Sequence, residues 1–145
     1  MRYVIALLAL AGATVSALAL RIHYSTDTEP CSINERWDCG IVNHSPFAEI
    51  AHIPVAAIGI AGYLALAGLA LLRRRALALS AALAGLAFAL YLSHIERDVL
   101  MVWCLYCVIS LGIITLVTLL SLGWVATERM GRRRAPSPAE ETAAD

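Results

Sequence analysis

The chain of 145 residues contains no lysine; all 11 positive charges are arginine, and 11 acids bring the formal net charge to zero. No stretch interleaves basic and aromatic residues, which excludes a nucleic-acid surface. No haem, flavin or iron–sulfur motif is visible, so a redox role has to rest on thiols or on a diffusible carrier. Charge itself is scarce, at 15% of residues against 60% hydrophobic, with a mean hydropathy of +0.74. That balance excludes an ordinary soluble domain. The apolar residues fall in blocks divided by charged clusters, as in an integral membrane protein. Cysteine is equally sparse. Cys31, Cys39, Cys104 and Cys107 form two close pairs, which suits an oxidising compartment or a thiol–disulfide enzyme.

Four blocks have the length of a membrane span. Tyr3–Leu20 is an uncharged run of 18 residues, near the ~20 needed to cross a bilayer. Arg2 and the Ala17-Leu18-Ala19 triplet also resemble a cleaved signal peptide, but the run exceeds the usual ~7–15 residues of a signal core, so a retained span is expected. The second block is 53–72, with Gly59, Gly62 and Gly68 as small contact residues and Pro54 in its first turn. The third is 76–92, with Ala81, Gly85 and Ala89 at small-xxx-small spacing, and the fourth is 102–126. Between the first and second lies a polar loop, 21–52. Within it, Ser45-Pro46 and the residues to Ala51 read as a short helix, capped by Ser45, with Glu49 at its positive end. A polar connection, 93–101, precedes the fourth span. The tail, 127–145, reads as a cytoplasmic, disordered extension of a 1–126 membrane domain. The expected fold is thus all-α: a four-transmembrane-helix bundle with a large extracytoplasmic loop between helices 1 and 2.

Four spans put both termini on one side. That side would hold Arg2, Arg73, Arg74, Arg75, Arg129, Arg132, Arg133 and Arg134; the other would hold Arg21, Arg36 and Arg97 against seven acids. The positive-inside rule then makes the termini cytoplasmic and places all four cysteines at the extracytoplasmic face. In a bacterium that is the periplasmic side of the inner membrane; in a eukaryote, the ER lumen.

Cys104-Leu105-Tyr106-Cys107 is a Cys-x-x-Cys pair at the start of the fourth span. Two thiols so spaced share nearly one helical face, and the first meets unpaired N–H groups and the positive end of the dipole. The pair could be a static disulfide or, with Cys31 and Cys39, a zinc site. It could equally be a redox centre re-oxidising the loop pair by thiol–disulfide exchange. Cys31 and Cys39 could also simply tie the loop. Trp103 and Trp124 read as interfacial anchors, Trp37 as a residue docking the loop, Phe88 and Tyr91 as packing, and His23, His44, His52 and His94 as surface or interface residues.

The order of Cys31-x7-Cys39, Ser45, His52-Ile53-Pro54 before a Gly-rich span, and Trp103-Cys104-x-x-Cys107 resembles the vitamin K epoxide reductase family, its compact bacterial members most. The resemblance covers residues 3–124 and implies a four-helix bundle around a quinone, either ubiquinone or menaquinone, with a vitamin K-type quinone also possible. It implies Cys104 and Cys107 as the active-site pair, Cys107 nearest the quinone, and Cys31 and Cys39 as a shuttle in which Cys39 exchanges with Cys104. Ser45 matches a serine near the family's active site. Vertebrate members place a tyrosine where this chain has Leu111, and an asparagine that its early second span lacks; both are associated with holding the vitamin K head group. No thioredoxin-like domain is fused, so a separate thioredoxin-like extracytoplasmic protein is the expected partner. The implied activity is a thiol–quinone oxidoreductase supporting disulfide formation. Vitamin K quinone or epoxide reduction is the alternative, and a non-enzymatic membrane scaffold or metal-binding protein the rival of a different class. The unrelated quinone-dependent disulfide-forming family has its Cys-x-x-Cys in the first external loop, unlike this chain.

Overall fold

Residue size decides how closely the helices approach. Helix α1 (Arg2–Tyr24) turns a stripe of small side chains inward: Ala6, Ala9, Gly12, Ala13, Ser16 and Ala19 are all buried. A second helix, running the opposite way, lies against that stripe. A Cβ on Gly12 would sit 2.4 Å from the ring of Tyr63, and one on Gly59 would sit 2.9 Å from Ser16 Oγ. Without a hydrophobic drive between helices in lipid, such close backbone approach is what holds spans together.

The structure, a computed structural model, describes residues 1–26 and 31–134. It is mostly helical. After α1 come a short helix α2 (Cys39–Asn43), a 3-10 turn (Pro46–Ala48) and a two-strand hairpin, β1 (Glu49–Ile50) with β2 (Ile53–Pro54). Three long helices follow: α3 (Val55–Leu71), α4 (Arg75–Ile95) and α5 (Leu105–Arg134), with a π-helical turn at Glu96–Leu100 between the last two. The helix α5 antiparallel to α4 is marked by Gly85 beside Ile114 and by Arg75 paired to Glu128 at 2.9 Å. Met1 lies beside Gly123, while Ile22 packs with Cys104, so α5 also runs opposite to α1. The bundle core holds Ile5, Ala9, Tyr63, Leu66, Ala70, Ile114 and Val117. Leu7, Leu10, Leu64, Leu83, Leu90, Leu116 and Leu119 remain exposed on the outer faces. Among the described residues, α1, α4 with its following turn, and α5 are long and apolar enough to cross a membrane; α3, with 17 residues, is a shorter apolar helix.

Several expectations change. The segment after Ser45 is not a helix. It makes one 3-10 turn and then a hairpin, because Ala51 and His52 adopt φ of 52° and 66° and reverse the chain. The fold is therefore not wholly α. Pro54 ends β2 and stands just before α3, which starts at Val55 rather than 53. Helix α4 continues to Ile95, so Ser93 and His94 are helical and only the π turn and the residues after it form a connection. Helix α5 passes residue 126 and runs to Arg134, so the first part of the expected tail is helix; 135–145 lies outside the described residues. Of the second span's three glycines only Gly59 meets a neighbour; Gly62 and Gly68 have none within 4 Å. Trp124 is buried under the Arg75 guanidinium, 5.0 Å from its ring centroid, and is a core residue rather than an exposed anchor.

Candidate active site

The loop reaches Cys104 through backbone pairing. Asn34 opens a tight turn, its Oδ1 accepting from the N–H groups of Arg36 and Trp37 at 3.0 and 3.2 Å. The chain leaving this turn lies along the segment before α5. Trp103 N–H donates to Arg36 O at 2.7 Å, and Asp38 N–H donates to Trp103 O at 3.1 Å. The Trp37 and Trp103 rings pack 6.4 Å apart, so Trp37 docks the loop as expected, and Trp103 serves that contact. This register brings the next residues along each strand, Cys39 and Cys104, side by side. Asp38 then caps α2, accepting from Ile41 N–H at 3.1 Å and fixing Cys39 at the first helical position.

Cys31 and Cys39 form a disulfide with their Cα atoms 5.5 Å apart. Cys104 Sγ lies 3.2 Å from Cys39 Sγ, and all three residues are fully buried. Asn43, which sequence reasoning missed, secures the contact: its Nδ2 donates to Cys39 O at 2.8 Å and approaches Cys104 Sγ at 3.7 Å. The sulfurs of Cys31, Cys39 and Cys104 lie within 4.8 Å of one another. Cys107 is outside that cluster, and two of its members are joined, so the four-thiolate zinc site is not assembled.

Cys104 precedes α5, whose first helical bond runs from Val108 N–H to Cys104 O at 3.1 Å. Its thiol is pulled below the usual cysteine range. The Cys107 thiol beside it is the largest cause; the backbone N–H groups of Cys107 and Tyr106 add to it, while burial and the Glu96 carboxyl oppose it. Glu96, another residue the sequence did not single out, comes from the π turn. It is 3% exposed and its Oε2 accepts from Cys104 N–H at 3.1 Å. The signal available in the sequence was Glu96 as one of two acids, with Asp98, ahead of the Cys-x-x-Cys pair; the π turn that folds it back was not legible.

Beneath this cluster a cavity of about 410 Å³ opens between the helices. Cys107 and Glu96 line it, whereas Cys104 does not. Its walls are mainly apolar, among them Val15, Ile58, Leu66, Phe88, Leu92 and Ile114. Besides Glu96 and Cys107 the polar groups are few: Ser16, His23, Asn43, Ser45, Tyr63, Tyr106 and Ser110. Such a lining and volume suit a flat apolar ring carrying one or two acceptors. Tyr63 Oη donates to Ser110 O at 2.9 Å, one turn beyond Cys107. Ser45 is at the cavity wall, but its hydroxyl donates back to Val42 O at 2.7 Å instead of capping the turn that follows. His23 lies between Asn43 O, at 2.6 Å, and Glu49, at 3.1 Å, and so ties the hairpin to α1.

A family model described as the vitamin K epoxide reductase family matches residues 3–122. The chain belongs to this family. Membership makes it a membrane oxidoreductase of quinone-associated type, and the apolar helices make it an integral membrane protein. Among curated protein sequences nothing matches the chain. As a family member it keeps the two cysteine pairs and joins the first as a disulfide.

Proposed function

We propose that the protein passes electrons from a thioredoxin-like extracytoplasmic protein, through Cys31/Cys39 and then Cys104/Cys107, to a membrane quinone. The observation that carries this reading is the division of the active pair: Cys104 Sγ touches Cys39 Sγ at 3.2 Å, while Cys107 lines the apolar cavity. Reduction begins when a partner thiolate opens the Cys31–Cys39 disulfide. Cys39, once a thiolate, attacks Cys104 of the Cys104–Cys107 disulfide, and Cys107 leaves as the second thiol. Cys31 then displaces Cys104, and the loop disulfide is restored. The low-lying Cys104 thiol makes it a good leaving group in that last step. A quinone in the cavity supplies a two-electron, two-proton sink when the Cys104–Cys107 disulfide closes again. Asn43, Tyr63 and Ser45 are the side chains available to orient its oxygens.

In this reading α3 also crosses the membrane, as the second of four spans, both termini are cytoplasmic, and the cysteines face the periplasm. The test is anaerobic mixing of the reduced protein with ubiquinone-1 and with menadione while quinone absorbance is followed. Stoichiometric reduction in the parent, abolished in Cys107→Ala, is expected. Undiminished reduction by Cys107→Ala would sink the assignment. The same assay with vitamin K epoxide separates quinone reduction from epoxide reduction.

A further inference from the structure

Glu96 is a buried acid that the relay above leaves without a task. It pairs with no cation among the described residues, although a carboxyl withdrawn from water is costly unless it is compensated. A glutamine there would accept the Cys104 N–H equally well. What glutamine lacks is a proton that can come and go, and the position of Glu96 suits such a proton. Its carboxyl accepts the Cys104 N–H at 3.1 Å, at the start of the turn that carries Cys107, and it borders the same cavity that Cys107 lines. Two groups beside the cavity could take the Cys107 proton: the Cys104 sulfur, three residues away on the same turn, and the Glu96 carboxylate. A proton given to Cys104 quenches the thiolate that must close the disulfide. A proton given to Glu96 frees Cys107 and leaves Cys104 reactive.

We propose that Glu96 is the proton carrier of this site, taking the Cys107 thiol proton and delivering it to an oxygen of the quinone in the cavity. The inference rests on the quinone-reducing reading above. The Cys107 S–H bond breaks and an O–H bond forms on Glu96, while the freed Cys107 electron pair forms a bond from sulfur to the quinone. The Cys104 thiolate attacks the Cys107 sulfur; the S–S bond forms as the sulfur–quinone bond breaks, and its electron pair leaves with the quinone. The Glu96 O–H bond then breaks as one hydroquinone O–H forms. The second hydroquinone proton comes from water, replacing the one Cys104 lost on ionising. In sum, one thiolate, one thiol, one quinone and one proton give one disulfide and one hydroquinone, with two electrons transferred.

The test compares the parent with Glu96→Gln and Glu96→Asp in the full-length protein. Single-turnover reduction of ubiquinone-1 should fall at least ~100-fold in Glu96→Gln, the usual scale of a lost acid–base group, and Glu96→Asp should restore much of it. Reduction of the Cys104–Cys107 disulfide by dithiothreitol should stay within about threefold of the parent, since the second thiol of dithiothreitol can supply the proton that Cys107 takes up. Infrared difference spectra of the parent, without quinone, should show a carboxyl band that changes on thiol reduction and is missing in Glu96→Gln. Quinone reduction by Glu96→Gln within about threefold of the parent would overturn the proposal. So would equal slowing of both steps, which marks a helix cap alone, or no carboxyl change in the parent, a result that stands even where the variant fails to fold. A parent unable to reduce ubiquinone-1 is a separate result, and it removes the functional reading together with this one.

Discussion

Cys104 owes its reactivity to groups that only the folded chain assembles. The largest contribution is that of the Cys107 thiol, to which the N–H groups at the start of α5 add. These stabilise the thiolate, so its folded-state pKa is lowered. At a given pH below the usual thiol value of about 8.5, more of Cys104 is ionised than of an unperturbed cysteine. Its alkylation by iodoacetamide should therefore reach a plateau at lower pH than that of a free cysteine. Removing the largest cause with Cys107→Ala should move the midpoint up. The measurement is a pH series in a Cys31→Ala/Cys39→Ala background, with the modified site located by mass spectrometry. A midpoint that does not move would assign the lowered value to the helix start rather than to the Cys107 thiol. The pair itself was visible from spacing alone. Asn43 and Glu96 were not, because each reaches Cys104 from a separate short element, α2 or the π turn, whose placement no local pattern announces.

At the scale of elements, close packing and turn chemistry make separate demands. Tyr63 fills the space left by Gly12 and is tethered to Ser110 at its far end, so its ring has little room to retreat. Gly12→Ala should cost about 1–3 kcal/mol by overpacking and disturb the cavity wall that Tyr63 forms. Gly68→Ala, with nothing within 4 Å, should be neutral or stabilising by up to ~1 kcal/mol through helix propensity. Thermal unfolding in detergent orders the two; equal midpoints would refute the packing argument. The hairpin gives the opposite lesson. Ile50 pairs with Ile53 across the two-residue turn Ala51-His52, and both turn residues carry positive φ, which non-glycine residues adopt at a cost. Replacing them with Asn-Gly should stabilise the turn by ~1 kcal/mol, seen as roughly fivefold slower amide exchange in the hairpin. Ala and His are poor turn signals, which is why this segment read as a helix. The long helices were legible because blocks of uncharged residues are unambiguous. Their ends were not: the run past residue 126 is sustained by Glu128, which pairs with Arg75 and with Arg132 at 3.2 Å, contacts that composition does not reveal.

For the whole molecule, the two ends of the bundle differ in chemistry. One end carries the disulfide, the Cys-x-x-Cys pair, the hairpin and the buried Glu96. The other brings Arg73–Arg75 together with the end of α5, fastened by Arg75 to Glu128 and by Arg75 over Trp124. Thirty residues of α5 extend roughly 45 Å, more than the ~30 Å hydrocarbon layer, so its last turns and their arginines stand beyond the apolar region. Carrying those arginines across a membrane is unfavourable, and the charge asymmetry therefore supports the proposed orientation, with the arginine end cytoplasmic. In a cysteine-free background, a single cysteine at His52 should react with a membrane-impermeant maleimide in intact cells. One at Arg129 should react only after the membrane is opened. Reversed labelling would place the thiols in the reducing cytoplasm, where the Cys31–Cys39 disulfide would not persist and the relay would have no oxidised starting state.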